Sequence, residues 1–288
     1  MRTQHTFLLA PTLLAVLSTG SWAAESFSPS EFVISAPCPA IGFIDERQTP
    51  SSGLDPARIR VFSWNIQKSS NSGWQQDLRQ LASPSDLVLL QEARLQADLM
   101  PVLDNQSFGT FAPGYTTDRQ DTGVMTLSTI GASSHCSLQH QEPWLRTPKA
   151  TSVSYYKIDQ HMTKLMVINL HAVNFTFSAA SLAAQLGDIA SLIESHAGPV
   201  VYGGDFNTWS EARKEALNHS ITGLNLQKVG FMEDNRKRVL GNALDHLLIR
   251  GLQVLESQTY PVSSSDHNPI SVTLALEPAA SAGQTATL

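Results

Sequence analysis

Apolar residues fall along this chain in short runs, many alternating with polar ones, that recur from residue 59 to residue 276. A period of two is the mark of a strand with one buried face. It predicts strands at "IRVFSWN" (59–65), "DLVLLQE" (86–92), "GVMTLSTI" (123–130), "ATSVSYYKI" (150–158) and "KLMVINLHAV" (164–173). Four more follow at "PVVYGGDF" (199–206), "ALDHLLI" (243–249), "LQVLESQTY" (252–260) and "PISVTLAL" (269–276). A helical spacing intervenes over 178–195, where Leu182, Leu186, Ile189 and Ile193 form one stripe and Ser178 stands in a capping position. Shorter helices are predicted over 73–82, 94–104 and 210–219. Strands that alternate and are interspersed with helices point to a mixed α/β (α+β) sandwich with antiparallel pairing, not to a doubly wound parallel sheet.

The ends of these runs are chemically unusual. "FSWN" stops at Asn65, "VLLQE" at Gln91 and Glu92, and "VINLH" at Asn169 and His171, while "VYGGDFN" stops at Asp205 and Asn207. Asp245 and His246 sit within "NALDHLLI", and "SSSDHNP" delivers Asp266, His267 and Asn268 before the last strand. Six segments therefore carry carboxylates, amides or imidazoles to a strand terminus, and strands sharing a sheet pair would gather them at one rim. In extended backbone Asp205 and Asn207 share a face while Phe206 turns away into packing. By the same alternation His246 points away from Asp245 and stays out of the site.

The N-terminus changes the picture of where such a domain works. Arg2, an apolar stretch from Phe7 to about Leu17 and the small residues of "SWAA" read as a secretory signal peptide over 1–23, giving a periplasmic or secreted protein with no stable membrane insertion after cleavage. Residues 24–58 are rich in Ser and Pro and read as an irregular segment; the ordered domain runs over 59–277, and 278–288 reads as a disordered tail. Cys38 and Cys136 are the only two cysteines, which permits one disulfide in an oxidising compartment. The formal net charge of −6 is the opposite of what nonspecific duplex binding favours. Arg146 and Lys149 in "EPWLRTPK" either add positive charge near a bound phosphate or form an exposed pair, and Arg236, Lys237 and Arg238 form a substrate-facing loop or a surface turn.

Taken in order, "SWNIQ", "LLQEA", "NLHAVNF", "GGDFNTWS", "LDHLLIRG" and "SSDHNPI" resemble the endonuclease/exonuclease/phosphatase superfamily, the DNase I-like group, from about Arg60 to Leu276. Within it the chain is most similar to the YafD-like bacterial proteins. The resemblance implies a four-layer sandwich of two mixed β-sheets flanked by helices, with the site at one rim. It implies that Glu92 is the principal metal ligand with Asn65 beside it, and that Asp266 is a second acidic residue near the metal. An all-oxygen set of this kind suits Mg²⁺, with Mn²⁺ as substitute. Asp205 matches the residue that orients or deprotonates the attacking water, and Asn207 a phosphate-oxygen ligand. His267 matches the histidine that hydrogen-bonds the scissile phosphate, and Asp245 its partner carboxylate. His171 matches a second histidine of the DNase I and sphingomyelinase branches, with Asn174 near it; Arg146 is the cation expected at the substrate.

These roles describe a secreted, Mg²⁺-dependent phosphodiesterase, a nuclease of DNase I type, monomeric and with nucleic acid as substrate. The alternative among enzymes is a phosphatase or a phospholipase-like hydrolase acting on a small or lipid phosphoester. A non-catalytic binding module is the alternative of a different class, and the joint presence of Glu92, Asp205, Asn207, Asp245 and His267 argues against it.

Overall fold

The computed structural model describes residues 31–39, 52–95, 102–103, 105–117, 120–176 and 178–278. The signal peptide read over 1–23 and the tail beyond 278 lie outside the described residues, as does most of the helix predicted over 94–104. In chain order the strands are β1 (Glu31–Ile34), β2 (Ile59–Asn65), β3 (Leu87–Arg94), β4 (Phe108–Thr117), β5 (Gln120–Ser128), β6 (Ser134–Gln141), β7 (Pro148–Tyr156) and β8 (Leu165–His171). They continue with β9 (Val200–Asp205), β10 (Gln227–Lys228), β11 (Arg238–Val239), β12 (Asn242–Ala243), β13 (Asp245–Arg250), β14 (Leu252–Thr259) and β15 (Ile270–Leu276). Among the described residues three α-helices intervene: α1 (Trp74–Ala82), α2 (Ala180–Glu194) and α3 (Glu211–Ile221).

Two mixed sheets face each other. One has seven strands in the order β1-β4-β5-β3-β2-β15-β14, the other six in the order β10-β13-β9-β8-β7-β6. Most neighbours are antiparallel, while β2/β3, β8/β9 and β1/β4 are parallel.

The alternation seen in the sequence sorts each strand's side chains between two environments. Val61 of β2, Leu87 and Leu89 of β3, Val167 of β8, Val201 of β9, and Leu247 and Ile249 of β13 interlock between the sheets. The intervening Phe62, Trp64, Val88 and Leu90 face outward and are covered by Trp74, Leu78 and Ala82 of α1. On the other sheet Ile168, Leu170 and Tyr202 pack under the Leu182, Leu186, Ile189 and Ile193 stripe of α2. Each Leu, Val or Phe so buried contributes roughly 1.5–3 kcal/mol, which is what makes a half-apolar strand choose one register.

Three expectations need correction, and two strands were not foreseen. The segment 24–58 contains strand β1, paired in parallel with β4, and Cys38 beyond it is disulfide-bonded to Cys136 of β6. Strands β4 and β6 have no forerunner in the hydrophobic pattern, because "FGTFAPGYTT" is broken by glycine and proline and "SHCSLQHQ" is largely polar. Arg94, the first residue of the helix predicted over 94–104, closes β3 instead. Helix α2 begins after Ala179, and Ser178 sits one residue earlier, its Oγ accepting from the Ala180 N–H at 3.2 Å.

Candidate active site

The polar strand ends gather where the inner faces of the two sheets run out. Inner-face positions are apolar deep in the seam and turn polar toward one rim: Val61 gives way to Asn65, Leu89 to Gln91, Val167 to Asn169 and His171, Val201 to Asp205, and Leu247 to Asp245. Asp205 and Asp245 are direct partners in the β9/β13 ladder. Gly204 makes this strand end feasible, since its φ is 135° and a Cβ there would lie 2.0 Å from the Leu170 carbonyl oxygen.

Asp205 is buried and heavily solvated by protein. Its Oδ2 accepts from Asn65 Nδ2 at 3.1 Å and from Asn207 Nδ2 at 3.3 Å, and its Oδ1 accepts from the Asn207 backbone N–H at 2.9 Å. That last bond closes an Asx turn with Asn207 at φ 50°, so the two side chains converge through a turn and not by continuation of the strand. Phe206 goes the other way, into Tyr202 and His246 at ring separations of 4.8 and 5.5 Å. Burial pushes the Asp205 carboxyl upward, opposed by the positive charge of His267.

His267 Nδ1 donates to Asp245 Oδ2 at 2.8 Å, and its Nε2 lies 3.8 Å from Asp205 Oδ2. Burial alone would lower the histidine, but Asp245, Asp205 and Asp266 outweigh it and carry its pKa up to about 10. The ring is therefore an imidazolium with one N–H fixed on Asp245 and the other facing Asp205. Asp266 itself is exposed; its backbone N–H donates to Gln67 Oε1 at 3.2 Å.

His171 stands in the opposite state. Its Nε2 accepts from Lys149 Nζ at 2.8 Å, and burial together with the Lys149, His267 and Lys68 charges drives its pKa well below the ordinary value. It is a neutral imidazole 3.7 Å from Asp205 and 3.8 Å from Glu92. Burial pulls the Lys149 ammonium downward too, against the carboxylates Glu92, Asp205 and Glu142. Of the two basic residues in "EPWLRTPK", Lys149 belongs to β7 and enters the cluster. Arg146, the expected substrate-binding cation, is exposed at φ 53° in the preceding turn, and among the described residues no bond joins its guanidinium to the cluster. Strand membership was the signal that separates them. No pattern in the chain marks Glu142, which is fully buried and accepts from the backbone N–H groups of Asn174 and Phe175 at 2.7 and 3.0 Å.

Glu92 reaches the rim through a β-bulge. Its φ is 50°, and the β3/β5 register shifts between Leu90 and Ala93, so Glu92 is the extra residue and Ala93 returns to the outer face. The Lys68 ammonium lies 3.4 Å from Glu92 Oε2, on a turn where Gln67, Lys68 and Ser69 all have positive φ. Three consecutive left-handed residues without glycine cost of the order of 1–2 kcal/mol each, so the turn is held by its surroundings. Glu92 thus faces one cation, the Lys68 ammonium, and the neutral His171 ring at 3.8 Å, while the Asn65 amide joins the same cluster through its Nδ2 bond to Asp205. A half-buried carboxylate with an ammonium standing in as its counter-ion is the kind of oxygen donor a hard divalent cation takes. Asp205, Asp245 and His267 also bring one ligand atom each within 4.8 Å of one another. An ion there would have to displace an imidazolium whose Nδ1–H is bonded to Asp245 and whose Nε2–H faces Asp205, so Glu92 and Asn65 are the better donors.

Residues 62–267 match the Endonuclease/Exonuclease/phosphatase family, and the chain belongs to it. It is a phosphoester hydrolase by family, in a family generally dependent on a divalent metal. The UPF0294 protein of Photorhabdus laumondii is 37% identical over 215 residues, 74% of this chain and 82% of that one. The UPF0294 protein of Vibrio vulnificus is 34% identical over 233 residues, 80% of this chain and 82% of that one. Among solved structures, the human Nocturnin catalytic domain superposes with a TM-score of 0.59 at 18% identity, covering 78% of this chain and 96% of that chain. The mannosyl-6-phosphatase Bt3783 of Bacteroides thetaiotaomicron gives 0.56 at 16% identity, covering 76% and 100%. These two share the fold of two stacked mixed sheets.

Proposed function

We propose that the chain is an exported, Mg²⁺-dependent phosphodiesterase, a nuclease of DNase I type that works as a monomer. The observation that carries this reading is the pairing of a buried carboxylate, Asp205, with an imidazolium, His267, at one rim. A phosphodiester is an anion that resists an incoming hydroxyl, so attack needs a base for the water and positive charge for the phosphoryl oxygens.

Each residue's part follows from its state. Asp205, raised by burial, orients the water and takes its proton. Asn65 and Asn207 hold that carboxylate in place; Asn207 Nδ2 gives its other hydrogen to the Ala172 carbonyl at 3.1 Å, so it serves a phosphoryl oxygen by exchanging one of these two bonds for it. His267 presents Nε2–H to a phosphoryl oxygen while Asp245 fixes the ring. Lys149, through neutral His171, adds positive charge on the side of Glu92. Glu92 and Asn65 would hold Mg²⁺, which when bound neutralises phosphoryl charge and favours departure of the leaving oxygen.

The alternative, hydrolysis of a small or lipid phosphoester, is favoured by one feature: the apolar cavity that borders Asn207. Export rests on the N-terminal sequence; among the described residues no helix is long and apolar enough to cross a membrane.

The test is hydrolysis of bis-p-nitrophenyl phosphate, plasmid DNA, RNA and p-nitrophenyl phosphate by purified protein with Mg²⁺, Mn²⁺ or EDTA. Asp205→Ala serves as control. Metal-dependent diester cleavage absent from the variant supports the reading. A preference for the monoester replaces it with a phosphatase, and wild-type turnover equal to that of the variant overturns it.

A further inference from the structure

A groove of about 350 Å³ opens beside Asn207, and none of the roles above uses it. Its walls are the rings of Trp144, Phe175 and Trp209 with Val239 and Leu244. These walls are fixed from behind. Glu142, two residues from Trp144, binds the backbone N–H groups of Asn174 and Phe175 and so ties the β6–β7 turn to the loop after β8. The Trp209 indole N–H donates to Asn174 Oδ1 at 2.9 Å, and the buried Arg213 guanidinium lies 5.6 Å from the Trp209 ring. Trp144 and Phe175 are nonetheless 64% and 50% exposed. Large exposed aromatics at the mouth of a cavity, with the Trp209 indole and the Phe175 backbone anchored by hydrogen bonds, have the character of a binding surface.

The groove shares Asn207 with the catalytic cluster, and the Asn207 amide nitrogen is 3.3 Å from Asp205 Oδ2. A phosphate held there has one of its ester groups at the groove. We propose that this groove is a subsite for a flat aromatic ring on that ester group. The substrate is then a small or unstacked nucleotide-type phosphodiester, not a base-paired duplex. The proposal rests on the phosphodiesterase part of the reading above and replaces its DNase I-type, duplex-cutting part. Aromatic faces offer stacking area to a planar group, and the amide of Asn174 with the hydroxyl of Thr176 supplies polar atoms in the lining, which a ring with heteroatoms can use and a hydrocarbon chain cannot. A stacked, paired base cannot enter such a groove, and a chain of net charge −6 is poorly matched to a duplex backbone.

The experiment compares p-nitrophenyl phosphodiesters whose second substituent is methyl, hexyl, phenyl or thymidin-5′-yl. The expected result is a KM for the phenyl and thymidinyl esters below that of the methyl ester by roughly five- to a hundredfold. Trp144→Ala should collapse that ratio and Trp144→Phe should keep most of it. A hexyl ester that matches the phenyl ester would make the groove an acyl-chain pocket and overturn the proposal, as would a ratio untouched by Trp144→Ala. Calorimetric binding of thymidine 5′-phosphate and of hexyl phosphate in EDTA gives a readout independent of turnover. Tighter thymidine 5′-phosphate binding that Trp144→Ala abolishes, in a protein that hydrolyses no diester, would sink the phosphodiesterase reading and keep the ring subsite. Diester hydrolysis without ring preference would do the reverse.

Discussion

Asp205 and Asp245 face each other across the β9/β13 ladder, and the His267 ring bridges them, 2.8 Å from one carboxylate and 3.8 Å from the other. Two acids opposed in a buried ladder would repel; a cation between them converts the repulsion into a fixed geometry. Asp245→Asn keeps the shape but withdraws the charge that holds His267 protonated. Turnover of a diester should fall about a hundredfold to ten-thousandfold, while circular dichroism shows an intact fold. A variant that keeps wild-type kcat would remove Asp245 from the mechanism.

Lys68 occupies the position of a counter-ion to Glu92. Glu92→Gln should abolish the rise in Tm that Mg²⁺ or Mn²⁺ produces in the wild type, and Lys68→Ala should enlarge it by removing a competitor. Thermal-shift titrations of the three proteins decide the matter. An undiminished shift in Glu92→Gln would place the metal elsewhere.

His246 gives the fold an acid limit. It is buried, with its Nε2 2.7 Å from Thr208 Oγ1, and burial followed by the charges of Arg236 and Lys228 lowers its pKa to about 3. Between that value and the ordinary 6.5 the unfolded chain binds the extra proton, so stability rises with pH across this window. The contribution is complete above about 6.5 and is lost as pH falls toward 3, with an upper bound of roughly 5 kcal/mol. His267, raised to about 10, acts in the other direction, its contribution present below about 6.5 and lost toward 10. His246→Gln should flatten the acid limb of a plot of Tm against pH. If that limb keeps its slope, the titration belongs to another group.

The Cys38–Cys136 disulfide spans 98 residues and joins the chain beyond β1, at the edge of one sheet, to β6, at the edge of the other. Closing a loop of that length restricts the unfolded chain by about 4–5 kcal/mol on the loop-entropy account. Cys38→Ser should lower Tm by roughly 10 °C. Melts with and without reductant provide the check, and reductant should leave the Tm of the Cys38→Ser protein unchanged.

The sequence was most legible where a strand has a simple partner. Alternation in "KLMVINLHAV" and "PVVYGGDF" marks β8 and β9, because each buries one face against helix α2 and the other in the seam. It was silent on β4 and β6, although each pairs with the strand that follows it, because glycine and proline break one run and polar residues dominate the other. Asp205 and Asn207 were expected to meet by strand geometry, and they meet through an Asx turn that only the fixed backbone reveals. Glu92 has the parity of an outer-face residue; a bulge, which no hydrophobic pattern encodes, turns it inward. Arg146 and Lys149 are separated by where a turn ends and a strand begins, a boundary their charge does not mark.

Gln91 Nε2 donates to Asn169 Oδ1 at 2.7 Å, deep between the sheets, and Asn169 Nδ2 donates in turn to the Met125 carbonyl at 3.0 Å. Apolar side chains of similar volume can replace one another in a packed layer, so a hydrocarbon seam by itself marks no single contact as the required one. A hydrogen bond does, because a displaced donor is left buried and unpaired. Gln91 is followed by Glu92, and Asn169 precedes His171 by two residues. The amide pair therefore works as an indexing pin: the alignment of the two layers and the spacing of the reacting groups are one quantity, and the apolar seam can drift in composition without detuning the chemistry.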